Sequence, residues 1–180
     1  MTQELTVNGI PYQIIRLLGH GKGGYSYLVR KGEQELVLKQ IHHEPCDYYT
    51  FGDKIAAEQN DYIRLQNAGI PIPKMLAIDT AAERILKEYI PGPTIYQLVK
   101  EDAVKPGYFH QVRHMAWLAQ QAGLNIDYFP TNFVVFEDRL WYVDYECNHY
   151  DPQWNFENWG NNYWWKSPAF LDYVNQHKDI

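Results

Sequence analysis

The chain has only two cysteines in 180 residues, Cys46 and Cys147, far apart and outside any pair motif. Neither a zinc site nor a disulfide framework follows, and a reducing cytoplasm fits. Cationic residues are also few: 16 Lys+Arg against 22 Asp+Glu give a formal net charge of -6. That argues against nucleic-acid binding through a broad basic surface. No apolar stretch approaches the length of a membrane span, so no membrane partner is expected. The opening MTQELTVNGIPYQII lacks the basic start and apolar run of a signal peptide. Low-complexity tracts and internal repeats are absent as well.

What is present is the composition of a folded protein, 46% hydrophobic and 21% charged. The length suits one domain with a proper core, or two small lobes sharing a cleft. Acidity gathers in the second half, which reads as a solvated acidic surface or, more sharply, as a preference for metal ions or cationic substrates.

The first third reads as strands and tight turns. LTVNGIPYQIIRLL places Asn8-Gly9 between apolar alternations, a strong hairpin signal. YSYLVRKGEQELVLKQI reads as a second hairpin reversing at Lys31-Gly32, so three antiparallel strands are expected. From about Tyr48 to Ala68, Ile55, Tyr62 and Leu65 recur at helical spacing, and Gly69 with PIPK supplies a stop. KMLAIDTAAERILKEYI reads as another hairpin, and PGP at 91 to 93 as a hinge. Helices are predicted over 94–101 and 107–122, the second with an apolar face of Val112, Met115, Trp117 and Leu118. Two short strands follow, FVVF and LWYVDY. This order suggests an α+β protein with two lobes.

Several polar residues stand out against that frame. GHGKGG, Gly19 to Gly24, lies between two predicted strands. A glycine turn there either lays backbone N–H groups against phosphate or simply reverses a hairpin. A dinucleotide site is disfavoured, because the glycines lead into a strand and not a helix. Lys39 sits in the apolar strand LVLKQI, where a lysine snorkels from an edge or points into a cleft. Glu58 lies on the predicted helix, and a buried lysine needs such a carboxylate to stay charged. Asp127, Asn132 and Asp144 offer hard oxygen ligands of the kind magnesium prefers. Taken singly, they are equally a cap, a turn residue and a strand terminus.

In order and spacing these residues resemble the protein-kinase superfamily over residues 12 to about 147. Gly19, Gly21 and Gly24 stand for the glycine loop, Lys39 and Glu58 for the strand lysine and helix glutamate, Asp127 and Asn132 for the catalytic loop, and Asp144 for the metal-binding acid. The resemblance implies an α+β, protein-kinase-like two-lobed fold. Residues 1–92 would form an N-lobe of antiparallel β-sheet plus helix, and 93–180 a reduced, mainly helical C-lobe. It implies ATP and Mg2+ as cofactors and transfer of the γ-phosphoryl group to a hydroxyl of a protein or small molecule. Asp127 would orient that hydroxyl and accept its proton, Asn132 and Asp144 would hold magnesium, and Lys39 fixed by Glu58 would bind phosphates under the glycine loop. Adenine would lie near Glu88 to Ile90. ILKEYIPGPTIYQLV is similar to the hinge region of small bacterial kinases, Rio-type kinases and the aminoglycoside and choline phosphotransferases. Tyr145-Glu146 resembles the Asp-Trp-Glu of the small-molecule enzymes.

The departures are specific. Asn125 replaces the usual loop histidine and is expected to brace the loop by hydrogen bonds. Phe129 stands where protein kinases keep a lysine, a loss that Lys22 of the glycine loop can partly offset. No Ala-Pro-Glu triplet follows Asp144. The tail instead holds Trp154, Phe156, Trp159, Tyr163, Trp164, Trp165, Phe170 and Tyr173, read as a substitute core against the catalytic loop or else as a partner or dimer surface. HQVRH at 110 to 114 lacks the glutamate of a zinc protease, and His42-His43 and Cys147 show no partner ligands. Two rival functions remain open: a nucleotide-binding pseudokinase acting as a scaffold, and a Rio-like ATPase.

Overall fold

The structure is a computed structural model that describes residues 2–21, 23–44 and 53–178. It is a mixed α+β protein, with four α-helices among the described residues. The chain divides into two compact units, Met1–Asn60 with Pro73–Tyr89, and Asp61–Ile72 with Ile90–Ile180. The changeover between Tyr89 and Ile90 adjoins the Pro-Gly-Pro breaker. Asp61–Ile72 goes with the second unit for a visible reason: the Tyr142 amide donates to Pro71 O at 2.9 Å, and the rings of Tyr62 and Tyr145 lie 5.0 Å apart.

The first unit is built on a six-stranded antiparallel sheet of β1 (Glu4–Val7), β2 (Ile10–His20), β3 (Gly24–Lys31), β4 (Gln34–Ile41), β5 (Met75–Asp79) and β6 (Arg84–Glu88), in the order β1-β2-β3-β4-β6-β5. The expectation of three strands before the helix is corrected to four, because each hairpin contributes both its arms. Asn8 and Gly9 take φ of 51° and 83°, the left-handed pair that a two-residue hairpin turn demands. Two register shifts, between Ile14/Arg16 and Leu17/Gly19, bend β2 as it approaches the glycine turn. Strand alternation then sorts the side chains. Leu36 and Leu38 join Val7, Tyr12, Val29 and Leu86 in one core. Ile41, two residues from Lys39 and so on the same face, packs with Ile55 and Ile85.

Ile55 belongs to α1 (Lys54–Ala68). Asp53 caps the start of this helix, its Oδ1 accepting from Ala56 N at 3.0 Å. At its end Gly69 N–H donates to Gln66 O and Ile70 N–H to Leu65 O, the paired bonds of a Schellman stop. The expected start near Tyr48 lies outside the described residues.

The second unit carries α2 (Ile95–Lys100), α3 (Pro106–Gln121), α4 (Pro168–Gln176) and two small antiparallel pairs, β7 (Leu124–Ile126) with β10 (Cys147–His149) and β8 (Phe133–Phe136) with β9 (Arg139–Tyr142). Thr94 and Gln97 form a reciprocal capping box at α2. The buried stripe of α3 is Tyr108, Val112, Met115 and Ala119, whereas Trp117, expected on that face, is 54% exposed. Position 117 lies two residues from Met115, roughly 200° around the helix, so its size could not bring it to the core. The second strand of the last hairpin ends at Tyr142, short of the expected Tyr145. Among the described residues, no helix is long and apolar enough to cross a membrane.

Candidate functional site

Two polar clusters hold the residues singled out from the sequence, one in each unit. In the first unit Lys39 Nζ donates to Glu58 Oε1, both side chains being about five-sixths buried at 15% and 16% exposure. The β4 alternation and the first turns of α1 bring them together. Breaking such a pair by removing one partner leaves a charge uncompensated, at a cost of about 3–5 kcal/mol.

The glycine turn lies against this pair. A Cβ added at Gly23 would stand 3.3 Å from Lys39 Nζ, and one added at Gly24 would stand 2.5 Å from the Gln40 carbonyl oxygen. Gly24 is therefore required by a close backbone approach. Gly19 and Gly21 meet nothing within 4 Å and carry no such requirement. Gly23, passed over in the sequence, is nearer the lysine than either, and only strand register reveals it. The turn is also braced internally: Gly21 N–H donates to Gly24 O at 3.0 Å and His42 N–H to Gly23 O at 3.4 Å. Lys22 lies outside the described residues.

His42 has partners after all. His20, His42 and Glu44 bring their ligand atoms within 4.8 Å of one another, and His20 stacks on Tyr25 at 4.2 Å. Both His42 ring nitrogens are engaged, Nε2 with Gly21 O at 2.6 Å and Nδ1 with the Glu44 amide at 3.2 Å. The ring thus serves the glycine turn. His43 likewise pairs with Glu83, at 2.8 Å. The bonds from His42 to Gly21 and from His43 to Glu83 join residues distant in sequence, which is why residue spacing does not disclose them.

Glu88, expected beside adenine, closes β6: its amide donates to Lys74 O at 2.9 Å and its carboxylate accepts from Lys74 N at 3.3 Å. Ile90 is buried in the second unit.

The second cluster is the loop from Asp127 to Asn132 with Asp144 beside it. Asp127 N–H donates to the Tyr142 hydroxyl at 3.1 Å, and that hydroxyl donates to Glu146 O at 2.6 Å. Asp127 Oδ1 accepts from Phe129 N at 3.1 Å, and Asn132 Nδ2 donates to Asp127 O at 3.3 Å. Asp144 Oδ1 accepts from the Tyr145 amide at 2.7 Å. Burial pushes the Asp127 carboxyl up to about 6; the Phe129 amide opposes this, while the charges of Glu146 and Asp144 add to it. Three acids and the Asn132 amide make a hard-oxygen donor set, and their mutual repulsion is what a magnesium ion would relieve. Glu146 carries only the resemblance of Tyr145-Glu146 in the sequence, with no ligand role expected of it. Its closeness to Asp127 depends on the chain turning back after β9.

Asn125, expected to brace the loop, instead ties β7 to the tail, its Nδ2 donating to Asp151 O at 2.8 Å, while its buried Oδ1 has no partner among the described residues. Cys147 is buried, which pushes its thiol up to about 12 and makes it inert. His110 and His114 are exposed, and His114 stacks on Trp117.

The aromatic tail divides by burial. Phe156, Trp164 and Phe170 are fully buried, and Trp164 Nε1 donates to Tyr128 O at 2.8 Å. Trp159, Tyr163 and Tyr173 are half-buried and, with Asp127, Phe129 and Asn132, line a pocket of about 390 Å³. Trp154 and Trp165 are exposed. No model of a known protein family matches the chain, and no curated protein matches it.

Proposed function

We propose that the protein is an ATP-dependent phosphotransferase of protein-kinase-like fold. The observation that carries the reading is the ion pair between strand residue Lys39 and helix residue Glu58, with the glycine turn packed on the lysine Nζ. A buried lysine held charged by a carboxylate, beside main chain that only glycine permits, suits the α- and β-phosphates of a nucleotide.

In the second unit, Asp127 orients the acceptor hydroxyl and takes its proton as the acceptor oxygen bonds to the γ-phosphorus and the bond to the ADP oxygen breaks. Its raised proton affinity suits a general base working near neutral pH. Asn132 and Asp144 are the residues that would hold magnesium, which supplies charge neutralisation at the phosphates when bound. The Tyr142 hydroxyl, joining the Asp127 amide to the Glu146 carbonyl, fixes the loop from below.

A scaffold that binds nucleotide without transferring it is favoured by one observation. Phe129, in the place of a charge-stabilising lysine, has its ring 4.6 Å from Tyr173 and 5.2 Å from Tyr163 and brings no cation to the site. Melting curves and γ-labelled ATP separate the readings. A ligand that binds only the folded state at 100 times its Kd stabilises by about 2.7 kcal/mol, so MgATP should raise the melting temperature of the wild type. The rise should vanish in Lys39→Ala. Asp127→Ala should keep the rise and lose label transfer to a pool of hydroxyl acceptors. No rise in the wild type would sink both readings; a rise without transfer would leave the scaffold.

A further inference from the structure

The pocket beside Asp127 has walls unlike a core and unlike an ordinary surface. Trp159 and Tyr163 have ring centroids 5.4 Å apart, Tyr163 and Phe129 5.2 Å, and Phe129 and Tyr173 4.6 Å, a continuous band of rings. These rings belong to the same tail whose Phe156, Trp164 and Phe170 are fully buried. A Cβ at Gly160 would stand 2.4 Å from the Tyr128 Cβ, so the main chain next to Trp159 is clamped to the catalytic loop. The buried rings therefore anchor the tail, and the pocket rings are held in place while part of their surface faces solvent. Rigid aromatic faces kept partly wet at fixed positions next to a carboxylate form a recognition surface.

We infer that this pocket takes the phosphoryl acceptor, and that the acceptor is a small, non-anionic molecule with a flat ring face stacked on Trp159 and Tyr163, beside Tyr173 whose own face is taken by His177 at 4.0 Å, and a hydroxyl turned to Asp127. The role of Asp127 in this rests on the phosphotransferase reading; the ring-binding surface does not. A volume of about 390 Å³ is that of a small-molecule site. Among the described residues, the one charged side chain lining it is that of Asp127, with Asp144 and Glu146 close enough to act on its charge. A phosphate or carboxylate on the acceptor would meet repulsion there.

The test measures binding without nucleotide, by calorimetry and saturation-transfer NMR. The probes are phenyl β-glucoside, which joins a flat ring to a primary hydroxyl without charge, its 6-phosphate ester, and a serine-containing heptapeptide. The glucoside should bind. Trp159→Ala and Tyr163→Ala should each weaken it about tenfold, in line with the loss of one stacked ring. Trp159→Phe should restore most of the affinity, and Trp165→Ala, outside the pocket, should leave it unchanged; circular dichroism confirms that each variant is folded. The phosphate ester should bind at least about tenfold more weakly than its parent. Absence of glucoside binding, binding unmoved by both alanine variants, equal or tighter binding of the ester, or tighter binding of the peptide would each overturn the inference. An MgATP melting shift without glucoside binding sinks this inference alone. Glucoside binding without an MgATP shift preserves the ring site and sinks the phosphotransferase reading.

Discussion

Asp127→Asn removes a half-buried charge while keeping the shape of the side chain. The Asp127 carboxyl is pushed up to about 6, first by burial and then by Glu146 and Asp144, against about 3.9 for an unfolded aspartate. An acid whose folded pKa exceeds its unfolded pKa holds its proton more tightly in the fold. Its contribution therefore favours the fold at low pH and is lost as pH rises from about 4 through about 6. Fully expressed, that interval is worth about 3 kcal/mol. The carboxyl is not sealed from water, so about 1–2 kcal/mol is the working expectation. Asparagine does not titrate, yet its Oδ1 can still accept from the Phe129 amide, and the Asn132 bond runs to the main chain and survives.

Urea unfolding of both proteins, repeated from about pH 4 to about pH 8, isolates the Asp127 carboxyl together with its coupling to Asp144 and Glu146, because the remaining titrations are common to the two. The variant should match the wild type within about 0.5 kcal/mol at the acid end and exceed it by about 1–2 kcal/mol at the alkaline end. A variant less stable than wild type at about pH 8, or a difference that does not change with pH, would refute the claim that Asp127 is held against its preferred ionisation.

Two further substitutions test the framework of each cluster. Gly24→Ala sets a methyl group 2.5 Å from the Gln40 carbonyl and should cost about 1–3 kcal/mol in chemical denaturation. Gly19→Ala, with nothing within 4 Å, should stay within about 0.5 kcal/mol. Trp164→Ala empties a fully buried site and orphans the Tyr128 carbonyl, so it should cost about 3–5 kcal/mol, while exposed Trp165→Ala should barely move the urea midpoint.

The parts of the fold that the sequence showed well are those whose cause is local. Asn8-Gly9 takes left-handed φ at both positions because few other residue pairs tolerate it. Gly69 ends α1 by the same permissiveness. The pairing of β7 with β10 was hidden because Ile126 meets Cys147 across an intervening hairpin, so each strand is only three residues long and neither alternates visibly. Helix α4 did have a signal: Ser167 caps it, accepting from the Phe170 amide at 3.0 Å, and Pro168 opens it. The density of aromatic residues masked that start. At the site, Lys39 with Glu58 was expected through the resemblance in order and spacing, since a strand lysine and a helix glutamate taken singly read equally as surface residues. The aromatic tail was expected against this loop, but the packing of Gly23 on Lys39 and of Glu146 near Asp127 was not legible, since their proximity arises only when separate elements fold against one another.

The stretch Asn125 to Asn132, NIDYFPTN, builds a turn without using up the atoms that the proposed reaction would need. The turn engages Asp127 Oδ1 and Asn132 Nδ2, whereas a ligand set draws on the second carboxylate oxygen and on the amide oxygen. A turn alone, however, does not explain the acids around it. Surface turns keep their carboxylates in water at little cost, but Asp127 is held partly buried with Asp144 and Glu146 near enough to raise its proton affinity further. That arrangement destabilises the ionised fold by more than the bond from the Phe129 amide returns, since the carboxyl is pushed up in spite of it. A cation and a hydroxyl bound there would offset it, so the strain in the isolated chain and the stabilisation of the loaded one have the same origin.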